Sequence, residues 1–222
     1  MSVLGELQPN KVFKYFEEIC SIPHGSRNLQ QISDYLVDFA KAHELKYRQD
    51  EDLNVIIWKD GSKGYEASEP VILQGHMDMV AVKEADCDKD MEKEGLDLEI
   101  NGDYISAKGT SLGGDDGIAV AYTLAVLDDE EMAHPPIEAI FTVNEEIGML
   151  GAATIDVSDL KGRLFMNMDS EDEGVFTVSC AGGASVICKI PYETETVNAS
   201  VIEIKMTGFA GGILVSRSSK GV

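Results

Sequence analysis

One histidine and a set of carboxylates, each placed just after an apolar run, carry the chemical potential of this sequence. The first group is Gln74-Gly75-His76-Met77-Asp78, following Val71-Ile72-Leu73. Residues two apart in an extended segment face the same side, so the His76 imidazole and the Asp78 carboxylate can point into one site. A neutral imidazole binds transition metals, and a neighbouring carboxylate can orient it; a simple hydrogen-bonded strand end is the plainer alternative. The second group is Gly113-Gly114-Asp115-Asp116-Gly117. One of its acids would serve as a helix cap. A second beside it raises the local negative charge, which a bound cation relieves. A phosphate cradle is excluded, because two carboxylates repel phosphate and no P-loop Lys-Ser/Thr follows. The third group is Asn144-Glu145-Glu146-Ile147-Gly148 and the fourth is Met166-Asn167-Met168-Asp169. Taken singly, these two are equally well read as solvated loop acids.

Together the four groups point to metal chemistry. One imidazole and several carboxylates suit Zn²⁺, Mn²⁺ or Co²⁺. A pair of ions ~3.5–4 Å apart needs a bridging carboxylate and several further ligands. Such a pair brings the pKa of a bound water to about 7 and polarises a substrate carbonyl. One carboxylate must then stay off the metal to take the water's proton.

The elements that must position these residues follow from the hydrophobic pattern. Val12, Phe16, Ile19 and Cys20 recur at helical spacing over residues 10–20, as do Leu29, Ile32, Leu36, Phe39 and Ala40 over 28–44. Short β-branched or apolar runs at 53–58, 70–75, 137–143 and 164–168 predict strands, and Asn101-Gly102-Asp103 predicts a hairpin turn within 98–107. Residues 116–127 are apolar nearly all round and predict a buried helix. Strands alternating with helices argue an α/β fold with a mixed, largely parallel sheet, in which ligands bind beyond the carboxyl ends of strands. From about Ala184 the texture becomes alternating strands with no helix between them, which predicts the start of a second, antiparallel unit. The expected division is therefore residues 1–183 and 184–222.

Composition bounds the function. The 222 residues are 44% hydrophobic and 26% charged, with 18 Lys+Arg against 40 Asp+Glu for a net charge of −22. Such a field repels a phosphate backbone, so nucleic acid is not an expected partner. No apolar run approaches the ~18 residues of a membrane span, and the N-terminus lacks a signal-peptide pattern. A cytoplasmic protein with no membrane partner is expected. Cys20, Cys87, Cys180 and Cys188 show no zinc spacing and read as reduced thiols, partly in the core. His43 and His134 read as ordinary surface residues.

The order H-x-D, G-x-x-x-G-G-D-D-G, N-E-E-x-G and M-x-x-D resembles the cocatalytic-zinc exopeptidases that include aminoacylases, carnosinases and tripeptidases. The wording GHMDMV, KGTSLGGDDGIAVA, TVNEEIGMLGA and MNMDSEDEG is more similar still to the aminoacyl-histidine dipeptidases, from near the N-terminus to about Gly212. The resemblance implies a three-layer zinc-exopeptidase catalytic domain interrupted by an α+β lid or dimerisation domain, which would begin after Ala184. It implies hydrolysis of small Xaa-His dipeptides with two divalent ions, Zn²⁺ first and Mn²⁺ or Co²⁺ as alternatives, by a homodimer when full length. His76 and Asp169 would bind one ion, Glu146 the other, and Asp115 would bridge them, with the peptide joining it to the next residue commonly cis. Asp78 would support His76, and Glu145 would be the general base. A related N-deacylase or tripeptidase is the competing reading, and a non-enzymatic fragment a third.

One departure stands out. The family's last metal ligand is a histidine downstream of the lid, and none of His24, His43 or His134 lies in a matching motif. A truncated, inactive form is the expectation. Family members carry G-G-H-S-G where this chain reads Gly211-Gly212-Ile213. Codons able to encode Ile213 to Val222, shifted by one base, spell H-S-G-I-E-I-V-K-G-R, so residues 213–222 are expected to be a frameshifted tail. An unrelated tail is the alternative.

Overall fold

The computed structural model describes residues 2–170 and 174–179 in full, and the backbone of two strands at 203–209 and 213–218. The chain divides into two units, Met1–Thr177 and Val178–Val222.

In the first unit, helix α1 (Asn10–Cys20) buries Val12, Tyr15, Phe16, Ile19 and Cys20, the stripe its spacing predicts. Helix α2 (Gln30–Ala42) buries Ile32, Leu36, Phe39 and Ala40 in the same way. Strands β1 (Lys46–Gln49), β2 (Val55–Lys59) and β3 (Val71–His76) follow, then the hairpin β4 (Leu98–Asn101) and β5 (Tyr104–Ala107). Helix α3 (Gly114–Leu127), strand β6 (Ile137–Thr142), the short helix α4 (Leu150–Thr154) and strand β7 (Leu164–Asn167) complete the unit.

Five of these strands form one sheet in the order β1-β2-β6-β3-β7. The α/β expectation holds, with a mixed sheet: β3 runs parallel to both β6 and β7, whereas β2 is antiparallel to β1 and β6. Alternation along the strands sorts the core into two faces. Val55, Ile57, Ala139 and Phe141 pack with the apolar stripes of α1, α2 and α3. Ile56, Ile72 and Ile140 face the other way, against Trp58, Ile155 and Leu160. Helix α3 packs tightly on α1: a Cβ at Gly117 would lie 3.3 Å from the Phe16 ring.

In the second unit, β8 (Glu203–Phe209) and β9 (Ile213–Ser218) pair antiparallel, with a register shift between Met206 and Gly208. The expected strand at 184–193 and the last four residues of the tail lie outside the described residues.

Candidate metal centre

Parallel pairing brings the carboxyl ends of β3, β6 and β7 to one edge of the sheet, with His76 beside Thr142 and Gln74 beside Asn167. The four acidic or histidine-bearing groups of the sequence leave this edge from three strands and from the start of α3.

His76, the last residue of β3, is buried. Its Nδ1 lies 3.0 Å from the Asp78 carbonyl oxygen and 3.5 Å from Asp78 Oδ1. With acceptors on the Nδ1 side, Nε2 is left to face the cluster. It lies 3.0 Å from Asp115 Oδ1, and 3.9 Å from both Glu145 Oε2 and Asp169 Oδ1. Asp78 is buried as well. Its Oδ2 accepts from the Ser26 hydroxyl at 2.8 Å and its Oδ1 from the Glu145 backbone N–H at 3.0 Å.

Asp115 and Asp116 precede the regular part of α3, and their non-helical backbone angles turn the two carboxylates apart. The peptide between them is cis. The Asp115 side chain is more than half exposed, whereas Asp116 is buried and accepts the His76 backbone N–H at 3.1 Å. This close approach requires Gly75, since a Cβ there would fall 2.8 Å from Asp116 Oδ2 and 2.9 Å from Ala119 Cβ.

Two donor sets result, each with its atoms within 4.8 Å of one another: His76, Asp116 and Asp169, and His76, Asp115 and Glu146. The structure thus brings His76, Asp115, Glu145, Glu146 and Asp169 together, with Asp78 behind His76. Asp116 had no individual role in the sequence reading. Its only signal there was that it doubles Asp115, and burial against the His76 backbone is what singles it out.

The electrostatics reflect like charge at close quarters. Burial, then the Asp169 carboxylate, push Asp116 up to about 7. Burial and Asp115 raise Asp169, the favourable His76 charge notwithstanding. Burial, then Asp115, raise Glu146. Burial alone would lower His76, but a hydrogen bond to Asp78 and the charges of Asp116, Asp78 and Asp169 lift it to about 10. Asp78 moves the other way: burial pushes it up, but hydrogen bonds from His76, the Glu145 N–H and Ser26 hold it below the ordinary range. Among the described residues, no lysine or arginine forms an ion pair with any of these acids. A site of hard oxygen donors and one imidazole, short of positive charge, fits divalent cations.

The other described histidines join neither donor set. His134 is buried rather than on the surface, because its backbone is pinned to Ser62 by mutual hydrogen bonds and its Nδ1 lies 2.8 Å from the Pro135 carbonyl. His43 is half-buried, stacked on Phe39 and 3.5 Å from Asp128. His24 is buried, and its Nδ1 lies 2.6 Å from the Ile22 carbonyl. Cys20 is buried and free, and Cys87 is half-buried and free; Cys180 and Cys188 lie outside the described residues.

No protein-family model matches the chain. Among curated proteins it is 38% identical over 214 residues to the cytosol non-specific dipeptidase of Escherichia coli, which covers 96% of this chain and 44% of that protein. Among solved structures it is similar to the aminoacylhistidine dipeptidase of Vibrio alginolyticus, with a TM-score of 0.75 and 40% identity over 77% of this chain and 35% of that one. A Staphylococcus aureus tripeptidase shares the fold at a TM-score of 0.62 and 23% identity, over 76% of this chain and 45% of that one. The chain thus spans less than half the length of the curated relatives it matches. In sequence over nearly its whole length, and in fold over about three quarters of it, the chain is similar to part of these two bacterial dipeptidases.

Proposed function

We propose that these residues belong to a metal-dependent peptidase that hydrolyses small dipeptides, carnosine-like Xaa-His dipeptides among them. The observation that carries the reading is the ring of acids around His76 Nε2, with Asp115 at 3.0 Å and Glu145 and Asp169 at 3.9 Å. His76 and Asp169 would hold one divalent cation and Glu146 a second, with Asp115 between them. Zn²⁺ is the ion we favour, with Mn²⁺ or Co²⁺ as substitutes. Such cations supply Lewis acidity, polarising the scissile carbonyl and making water acidic near neutral pH.

The chain's own groups would do the rest. Glu145 would take the attacking water's proton at its carboxylate and pass it to the leaving amine. Asp78 would keep the His76 ring turned so that Nε2 faces the cations. Asp116, committed to the His76 backbone N–H, would hold the end of β3 against α3.

Catalytic zinc ordinarily has three protein ligands. If His76 serves the first cation, the second has Asp115 and Glu146 from these residues. A polypeptide of these 222 residues alone should therefore turn over little substrate. The resemblance is also our ground for proposing a cytoplasmic homodimer when full length. Titration of the purified chain with Zn²⁺ and Co²⁺, with assays on Xaa-His dipeptides, N-acyl amino acids and tripeptides, tests the reading. Binding of at least one ion, lost on His76→Ala, is expected. Absence of any specific ion binding would sink the proposal.

A further inference from the structure

The loop between α1 and α2 takes no part in the donor sets, yet it is bonded into the centre at several points. The Met79 N–H donates to the His24 carbonyl at 3.2 Å and the Ser26 N–H to the Met79 carbonyl at 3.1 Å, forming a short parallel bridge between Gly25 and Met79. The approach leaves no room for a side chain at Gly25, where a Cβ would fall 2.6 Å from Ala81 Cβ. From this bridge the Ser26 hydroxyl reaches Asp78 Oδ2 at 2.8 Å. One residue on, the Arg27 N–H donates to Asn144 Oδ1 at 2.8 Å. Arg27 and Asn144 both have left-handed backbones, with φ of 73° and 53°. That conformation is strained for a non-glycine residue and persists where neighbours over-determine it.

Asp78 is the joint of this arrangement. Its side chain has three neighbours: the Ser26 hydroxyl on one oxygen, and the Glu145 N–H and His76 Nδ1 on the other. A carboxylate held at Oδ1 alone could rotate about its Cβ–Cγ bond. The Ser26 contact on Oδ2 blocks that rotation and so determines where Oδ1 sits.

We propose that Ser26 is a positioning residue: its hydroxyl locks the Asp78 carboxylate, and through it both the His76 ring and the main chain at Glu145. The proposal rests on the metal-dependent reading for its bearing on catalysis, but its structural part does not need a metal.

The test compares the purified chain with Ser26→Ala and Ser26→Thr. Amide hydrogen exchange at Glu145 is followed by NMR in metal-free protein, and Co²⁺ affinity by visible absorption. Ser26→Ala should speed exchange at Glu145 several-fold and weaken Co²⁺ binding by about 10-fold, the lower end of what outer hydrogen-bond partners contribute. Ser26→Thr, which keeps the hydroxyl, should restore both. Should Ser26→Ala unfold the loop, Ser26→Cys keeps the size with a weak donor and carries the same expectation. Unchanged exchange at Glu145 in the alanine variant, or failure of threonine to rescue it, overturns the proposal. A parent chain that binds no Co²⁺ would instead count against the metal-dependent reading, while the exchange comparison would still decide the role of Ser26.

Discussion

The backbone N–H of Glu145 donates to Asp78 Oδ1 at 3.0 Å, so the carboxylate oxygen that lies 3.5 Å from His76 Nδ1 also holds the main chain from which the proposed base projects. The two residues are distant in sequence and lie at the ends of neighbouring parallel strands. Truncating Asp78 would leave the Ser26 hydroxyl and the Glu145 N–H without their acceptor, at about 1–3 kcal/mol for each group that stays buried and unpaired. Asp78→Ala should lower Co²⁺ affinity by about 10–100-fold. Asp78→Asn keeps an acceptor oxygen and should be milder. Competition titration against a chelator measures both, and an alanine variant with parental affinity would remove Asp78 from the centre.

Glu145 and Glu146 are adjacent but face different neighbours. Glu145 Oε2 stands 3.9 Å from His76 Nε2, whereas Glu146 groups with Asp115 and His76 as a donor. In an active metallopeptidase of the proposed kind, Glu145→Ala should reduce turnover by about 10²–10⁴ and leave metal content nearly unchanged. Glu146→Ala should lower metal content instead. Elemental analysis beside a dipeptide assay separates the two, and the opposite pattern would exchange their roles.

Much of the framework that positions the centre is legible in the sequence, because periodicity and burial agree. Val12, Phe16 and Ile19 mark α1, the β-branched run at 55–57 marks β2, and Asn101-Gly102-Asp103 marks the β4–β5 turn. Strand β1 is not legible: Lys46-Tyr47-Arg48-Gln49 has no apolar alternation, and it is a strand because its backbone pairs with β2 at the sheet edge. The burial of His134 is hidden for a related reason, since it depends on Ser62, far away in sequence. The acids of the centre are legible as types at strand ends. The parts played by Ser26 and Asp116 are not, because each is defined by a contact across the fold rather than by local spacing.

Gly75 illustrates how little space separates β3 from α3. An added methyl would meet Asp116 Oδ2 at 2.8 Å and Ala119 Cβ at 2.9 Å; the first ends a buried side chain tied to the His76 N–H, and the second sits on the packed helix. Overpacking of this kind costs about 1–3 kcal/mol. Gly75→Ala should therefore lower the thermal midpoint and, by displacing Asp116 from the His76 N–H, weaken metal binding. Calorimetry with a Co²⁺ titration checks both effects, and a variant unchanged in stability would show that α3 yields more readily than its packing implies.

A pH-dependent contribution is built far from the centre, where Glu17 of α1 holds the N-terminal segment. Its carboxylate accepts from the Ser2 hydroxyl at 2.5 Å, the Val3 N–H at 2.6 Å and the Leu4 N–H at 3.1 Å, and Leu4 is buried in the core beneath. Burial alone would raise the Glu17 pKa, but the hydrogen bonds from Ser2, Val3 and Leu4 outweigh it and hold the group below its ordinary value of 4.5. With the folded value below the unfolded one, the unfolded chain binds the proton more readily. The stabilisation is therefore complete above the unfolded pKa and is lost as pH falls through the depressed folded value. Glu17→Gln removes the titration while keeping the shape. At neutral pH the variant should melt about 2–4 °C below the parent, which is what about 1 kcal/mol is worth in a domain of this size. The gap should narrow as the pH drops from about 5 to about 3, because the parent then loses the same charge. Paired thermal melts across that range make the comparison, and a gap that stays constant would mean that Glu17 anchors Leu4 by shape rather than by charge.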